Sequence, residues 1–280
     1  MAGGYRLSSA AFQCLREAFR QASGIDLPES KRQLVAGRLH NRLVALGLPD
    51  YDGYAALIRQ PEQAAERQRM VDLLTTNETY FFREPEHFRF LAGQILPALA
   101  QRPIRVWCAA ASSGEEPYSL AMLLQDKLGD SGWSLLASDL STRMLERAAC
   151  GLYPLQRLDL LPDEYLKRFC LRGTGEYEGH LLVRRELRER VRFCHHNLLD
   201  SAADLGLFDV IFLRNVLIYF NGATRQRVIQ QVARQLRPGG WLVVGHSESL
   251  QGVTGGLQLV RPSIYRRPAH SLPAVAGGVA

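Results

Sequence analysis

The sequence has no cysteine pair at metal-ligand spacing, no long apolar run and no glycine-rich phosphate loop, and each absence removes a class of protein. Its five cysteines (Cys14, Cys108, Cys150, Cys170 and Cys194) are scattered, odd in number and free of any Cys-x-x-Cys pair. A disulfide framework or zinc site is not expected, and small core residues in a reducing compartment fit better. No apolar stretch approaches the roughly 18 residues needed to span a bilayer. The opening MAGGYRLSSAAFQCL lacks the apolar block of a secretory signal, and position two is not glycine, as myristoylation would need. These absences lead to the expectation of a soluble, cytoplasmic protein without membrane insertion. Internal repeats and low-complexity blocks are missing too.

What is present is ample apolar material. With 280 residues, 46% of them apolar, the chain has room for one large domain or two modest ones. A 22% charged fraction argues against wholesale disorder, and the net charge of +6 suggests an acidic partner, either nucleic acid or a protein surface.

Up to residue 75 the pattern is helical. Ala11, Leu15, Ala18 and Phe19 recur at helical spacing, as do Leu34, Leu39, Leu43 and Leu46. From Ile104 the rhythm becomes strand, turn, helix. Strands are expected at 104–109, 133–138, 208–213 and 241–245, helices at 117–127 and 141–150, a turn at Pro238-Gly239-Gly240, and an antiparallel edge strand over 257–265. Residues 166–172 and 180–187, around the turn at Gly173, suggest a short antiparallel insert. Alternating strands and helices argue for a doubly wound α/β sheet.

The loop after the first strand, Ala110-Ala-Ser-Ser-Gly-Glu-Glu116, has the shape of a nucleotide-binding turn but carries carboxylates where phosphate would be repelled. Asp139, at the end of the next strand, lies 25 positions beyond Gly114. That is near the roughly 20-residue interval of an acid that accepts hydrogen bonds from ribose hydroxyls. S-adenosylmethionine carries a ribose and an ammonium but no phosphate, so a glutamate pair favours it over a dinucleotide. Ser113-Gly-Glu-Glu116 also matches a capping box, with Pro117 in a first helical position, and one glutamate could cap while the other faces ligand.

Five stretches carry a resemblance: TTNETYFFRE (75–84), ASSGEEPYSLAM (111–122), ASDLSTRMLERAACGLYP (137–154), FDVIFLRNVLIYF (208–220) and LRPGGWLVVGHSESL (236–250). In this order they resemble the chemotaxis-receptor glutamate O-methyltransferases, the CheR family. The resemblance implies a Rossmann-like S-adenosylmethionine-dependent methyltransferase sheet with a small antiparallel β-subdomain inserted, preceded by a small all-α N-terminal domain. The expected boundaries are a helical domain at 1–75, an interdomain linker at 76–102, a methyltransferase domain at 103–268 with its insert at about 153–190, and a flexible tail at 269–280.

Carried onto matching positions, the family roles give Asn77, Thr79 and Arg83 a place at the donor site. They give Glu116 the donor's polar end, Asp139 its ribose, and Asn197 with Leu198 its adenine. Arg214 and Asn215 end the central strand beside the donor. Arg83 and Tyr219 are the candidates for holding the acceptor carboxylate. Asn197 also fits a turn cap, and Leu198 and Tyr219 also fit core packing. Phe81 and Phe82 read as wedges between domains, and His195 and His196 as structural, since no carboxylate or cysteine cluster accompanies them. No metal is expected.

The implied acceptor is a glutamate on the helical, acidic cytoplasmic domain of a methyl-accepting receptor. Lys31, Arg38 and Arg42 share a helix face, with Arg32 beside them, and could meet such a surface. The inserted β-subdomain could add the receptor's C-terminal tail as a strand. A monomer is assumed, with S-adenosylhomocysteine as product. This chain departs from the family in small ways: the loop lacks an early glycine or cysteine, and Leu213 stands where cysteine commonly precedes Arg-Asn. Two rivals are a donor-binding adaptor without catalysis and a nucleic-acid methyltransferase. No Asn/Asp-Pro-Pro-Tyr/Phe motif follows the central strand, and no basic patch interleaved with aromatics appears, so nucleic acid is not the expected partner.

Overall fold

The apolar periodicity ahead of residue 75 becomes four helices in the computed structural model, which describes residues 6–99, 103–158 and 160–269. Helix α1 (Ser9–Ser23) starts where the Ser8 hydroxyl accepts from the Ala11 amide and stops at Gly24 in the left-handed region. Helices α2 (Arg32–Ala45), α3 (Tyr51–Arg59) and α4 (Ala64–Leu74) follow, α3 being capped by Asp50 through the Gly53 amide. Phe12, Leu15, Phe19, Leu39, Leu43 and Tyr54 interlock in one core. Val35 enters this core where Leu34 is expected to; Leu34 is half-buried and turns to a cavity described below.

The linking segment forms α5 (Pro85–Phe90), one π-helical turn (Leu91–Ile95) and α6 (Leu96–Leu99). Beyond it come β1 (Ile104–Ala109), α7 (Glu115–Leu128), β2 (Trp133–Asp139) and α8 (Thr142–Cys150). The insert holds β3 (Leu152–Pro154), α9 (Asp163–Phe169), β4 (Cys170–Arg172), β5 (His180–Val183) and α10 (Arg185–Arg188). The chain then returns as β6 (Val191–His195), β7 (Phe208–Leu213), α11 (Gly222–Arg234), β8 (Leu236–Val244), β9 (Gln258–Arg261) and β10 (Ile264–Arg266).

One sheet has seven strands in the order β6-β2-β1-β7-β8-β10-β9. The first five are parallel, and β10 and β9 close the edge antiparallel. Strand β7 is buried along its whole length, as a central parallel strand covered on both faces must be. From β1 the chain moves outward through β2 to β6 on one side and from β7 to β8 on the other. The switch point therefore lies between β1 and β7, where open α/β sheets gather their ligands. A separate three-stranded sheet, β3-β5-β4, forms in the insert.

Four local expectations differ from the structure. Helix α7 begins at Glu115, two residues early, because Gly114 turns the chain. Pro238-Gly239-Gly240 is a bulge inside β8 rather than a turn ahead of it: Phe208 pairs with Leu236 and Val210 with Trp241, so the extra residues loop out. Residues 257–265 make two strands, since Pro262 and Ser263, the latter at φ 65°, reverse the chain. In the insert, 166–169 and 185–187 are helical, leaving only short strands. The tail expected at 269–280 lies, beyond Ala269, outside the described residues.

Candidate active site

At the switch point a cavity of about 330 Å³ opens between the helical domain and the ends of β1, β2 and β7. That volume suits a small ligand. The residues singled out in the sequence converge on it. Asn77, Thr79 and Arg83 come from the linking segment, Glu116 from α7, and Asp139 from the end of β2. Asn197 and Leu198 follow β6, while Arg214, Asn215 and Tyr219 follow β7.

The β1–α7 loop reaches the cavity through strained backbone. Ala110 (φ 73°) and Ser112 (φ 49°) lie in the left-handed region, as do Asn215, Phe82 and Glu84 nearby. These are five of the six such non-glycine residues among those described, and strain of this kind concentrates at functional sites. Gly114 (φ 101°) could not be replaced cheaply, because a Cβ there would meet the Tyr153 hydroxyl at 2.5 Å and Ala148 at 2.8 Å. The capping box is not formed. Gly114 occupies the cap position, and the Ser113 hydroxyl donates to the Glu115 carboxylate at 2.7 Å instead.

Asp139 is buried and accepts from two backbone amides, Ser112 at 2.7 Å and Ser141 at 2.8 Å. Burial pushes its pKa up, and the two amides only partly offset this. Arg214 is fully buried by side chain and sits between two acids. It donates to Glu116 at 2.5 Å, pairs with Glu84 at 3.0 Å and donates to the Arg83 carbonyl at 2.6 Å. Burial raises the Glu84 pKa, but the Arg214 charge outweighs it and holds the carboxyl below its ordinary range. The Cys108 thiol donates to Glu116 at 3.2 Å, and burial with that neighbouring charge keeps it protonated. Burial likewise raises the Tyr219 pKa, so its phenol stays a donor.

Asn197 spends part of its amide on structure. Its Nδ2 donates to the Ala22 carbonyl at 2.7 Å, and its Oδ1 accepts from the Leu199 amide at 3.0 Å. Arg83 donates to the Glu78 carbonyl at 2.9 Å and lies over the Tyr80 ring.

The basic residues of α2 are largely engaged within the chain. Arg42 grips buried Glu66 with two bonds, while Arg38 donates to the Leu74 and Thr75 carbonyls at 2.6 and 2.9 Å. Arg32 pairs with Glu29 and donates to the Ser9 hydroxyl at 3.1 Å. Lys31 lies on the cavity lining.

Sequence reasoning missed three contributors. Phe19 of α1, Leu34 of α2, and Ile25 and Leu27 in the segment between them bring the helical domain into the cavity wall, although apolar residues at such places read as core. Glu84 ties Arg214 to Asn215, whose Nδ2 donates to it at 3.2 Å. Glu248, 1% exposed, accepts from the amides of Asn215 (2.7 Å), Leu217 (2.7 Å), Ile218 (3.3 Å) and Gly245 (2.8 Å). Nothing in the polar run HSES distinguishes that glutamate from a surface acid.

Residues 77–265 match the family described as CheR methyltransferase, SAM binding domain, and residues 10–75 match CheR methyltransferase, all-alpha domain. A chemotaxis protein methyltransferase of Salmonella typhimurium (strain LT2) is 41% identical over 262 residues, spanning 92% of this chain and 90% of that protein. One from Escherichia coli (strain K12) is also 41% identical, over 92% of this chain and 91% of its own length. Chemotaxis protein methyltransferase 2 of Pseudomonas aeruginosa (strain PAO1) is 43% identical over 91% of each chain.

Proposed function

The chain belongs to the CheR methyltransferase family, and on that premise we propose that it methylates glutamate γ-carboxylates on the cytoplasmic domain of chemoreceptors. The observation that carries this reading is the two-domain cavity at the sheet's switch point, with acids, amides and one phenol turned to it. The residues fit S-adenosylmethionine on structural grounds. Each Asp139 oxygen accepts one backbone amide and keeps a lone pair for a ribose hydroxyl. The strained, small-residue loop presents carboxylates, which suit an ammonium and repel phosphate. When bound, S-adenosylmethionine supplies a methyl group on a sulfonium leaving group.

The protein's own residues then have a limited task. A glutamate with an ordinary pKa of about 4.3 is ionised at neutral pH, so no general base is needed. Arg83 and Tyr219 hold the acceptor carboxylate in line, Arg83 by its remaining guanidinium donors and Tyr219 by its phenol. Such positioning supplies on the order of 7 kcal/mol or more. Asn77 and Thr79 line the donor side, with Glu116 facing its ammonium, and Asn197 and Leu198 meet the adenine. Arg214 and Asn215 fix the floor. A receptor presented by the cytoplasmic leaflet would meet Lys31 and the α2 face, with its tail on the β-subdomain; among the described residues no helix is long and apolar enough to cross a membrane.

The test mixes the purified protein with methyl-labelled S-adenosylmethionine and membranes bearing chemoreceptors, then treats the labelled product with base. Label that moves to receptor and leaves as methanol supports a carboxyl ester. Base-stable label overturns it in favour of N- or C-methylation. Arg83→Ala and Tyr219→Phe should each lower kcat by about 100-fold, more than they weaken donor binding; unaltered turnover in both removes the positioning role.

A further inference from the structure

His87 is 2% exposed, and neither ring nitrogen makes a hydrogen bond. A buried polar group left this way calls for a physical explanation. Its Nδ1 lies 3.4 Å from Glu84 Oε2, and His246 Nε2 lies 4.0 Å from the same oxygen. The three ligand atoms all fall within 4.8 Å of one another, and the two imidazole rings meet edge to face at 4.7 Å.

We propose that Glu84, His87 and His246 form a binding site for one divalent transition-metal ion of the zinc type. Two imidazoles and a carboxylate, with a fourth position left to water, are a common ligand set for such an ion. Bonds of about 2.0–2.1 Å place tetrahedral ligand atoms roughly 3.4 Å apart, so one separation already suits and the others need a modest contraction. His246 is half-exposed and supplies that freedom. The opposing term is Arg214, whose guanidinium already holds Glu84. Yet the buried cluster sets two carboxylates, Glu84 and Glu116, against one guanidinium, which leaves a formal negative charge for a cation. Arg214 would keep Glu116 and the Arg83 carbonyl as anchors. The ion would tie the linking segment, through Glu84 and the first turn of α5, to the loop after β8.

The proposal is independent of methyl transfer, and its test needs no activity. The full chain, stripped with a chelator, is titrated with cobalt(II) and followed by its ligand-field absorption. One ion per chain is expected, displaced by zinc(II). His246→Ala should weaken binding by at least about 100-fold, beyond the 10–100-fold of an outer-shell partner. Circular dichroism checks that this partly exposed substitution leaves the fold intact. His195→Ala, on a separate exposed histidine, should change nothing. Absence of cobalt bands at saturation, or equal affinity in wild type and His246→Ala, overturns the site.

Discussion

Asp139 and Glu248 are two buried carboxylates with different burdens. In Asp139→Asn the new amide nitrogen faces the Ser112 or Ser141 amide, donor against donor, and one ribose contact is lost. Donor affinity should fall by about 100-fold, since hydrogen bonds to charged groups are worth about 1.5–3 kcal/mol each; isothermal calorimetry reads this directly. Glu248 holds four amides and, through them, the turn that carries Asn215 toward Tyr219. Gly245 beside it leaves no room, since a Cβ would lie 2.7 Å from both Asn215 Nδ2 and Glu248 Oε2. Glu248→Ala should cost about 3 kcal/mol or more, from several unsatisfied buried donors, seen as a lowered Tm. Asp139 was legible in the sequence because an acid at a strand end, a set distance past a loop, is a local pattern. Glu248 was not, because its meaning lies mainly in the backbone amides of Asn215, Leu217 and Ile218, at least 30 positions away and brought to it by the β7–β8 pairing.

Among elements, helix α8 shows how the two domains are joined. Its first amide, Thr142, donates at 3.0 Å to Asp72 at the end of α4, and the Thr142 hydroxyl donates to the other Asp72 oxygen at 2.8 Å. The Gln68 amide reaches the Leu140 carbonyl at 2.9 Å beside them. An acid supplied by one domain thus satisfies the positive end of a helix in the other. Asp72→Ala should destabilise by about 1–2 kcal/mol, as the loss of a cap does. It should also raise the donor KM more than it lowers kcat, a split that steady-state kinetics would read. Strands β1, β2 and β7 were legible because buried parallel strands are short, mainly apolar runs bounded by turn residues. The bulged β8, the final strand pair and the insert were harder to read: proline and glycine mark a bulge and a turn alike, and three- or four-residue strands are too short to set a period.

Over the whole molecule, acid should act in two stages. Asp139 has a raised pKa, so falling pH protonates it first and removes an acceptor for the donor. Its own effect on folding is slightly favourable there, since a raised carboxyl contributes stability below its unfolded pKa. Glu84 and Glu66 are held below the ordinary range: burial raises both, but Arg214 for one and Arg42 with Tyr54 for the other prevail. Their contribution is present above the unfolded carboxylate pKa and is lost only as pH falls through their depressed values. Donor affinity should therefore decline at a pH where circular dichroism still reports the native fold; simultaneous loss would mean that Asp139 is not the group that titrates. The two-domain plan and the polar residues assigned to the donor could be read from the chain, because their motifs sit at strand ends or in the segment that links the domains. The apolar wall from α1, α2 and the segment between them could not, since an apolar residue facing a ligand and one facing a core read alike in the sequence. That shared wall has a consequence for inheritance. Neither domain can drift alone: a helical half exchanged with a distant relative would bring a wall shaped for another sheet, so recombinants should keep activity only where Phe19, Ile25, Leu27 and Leu34 travel together with the loops they face.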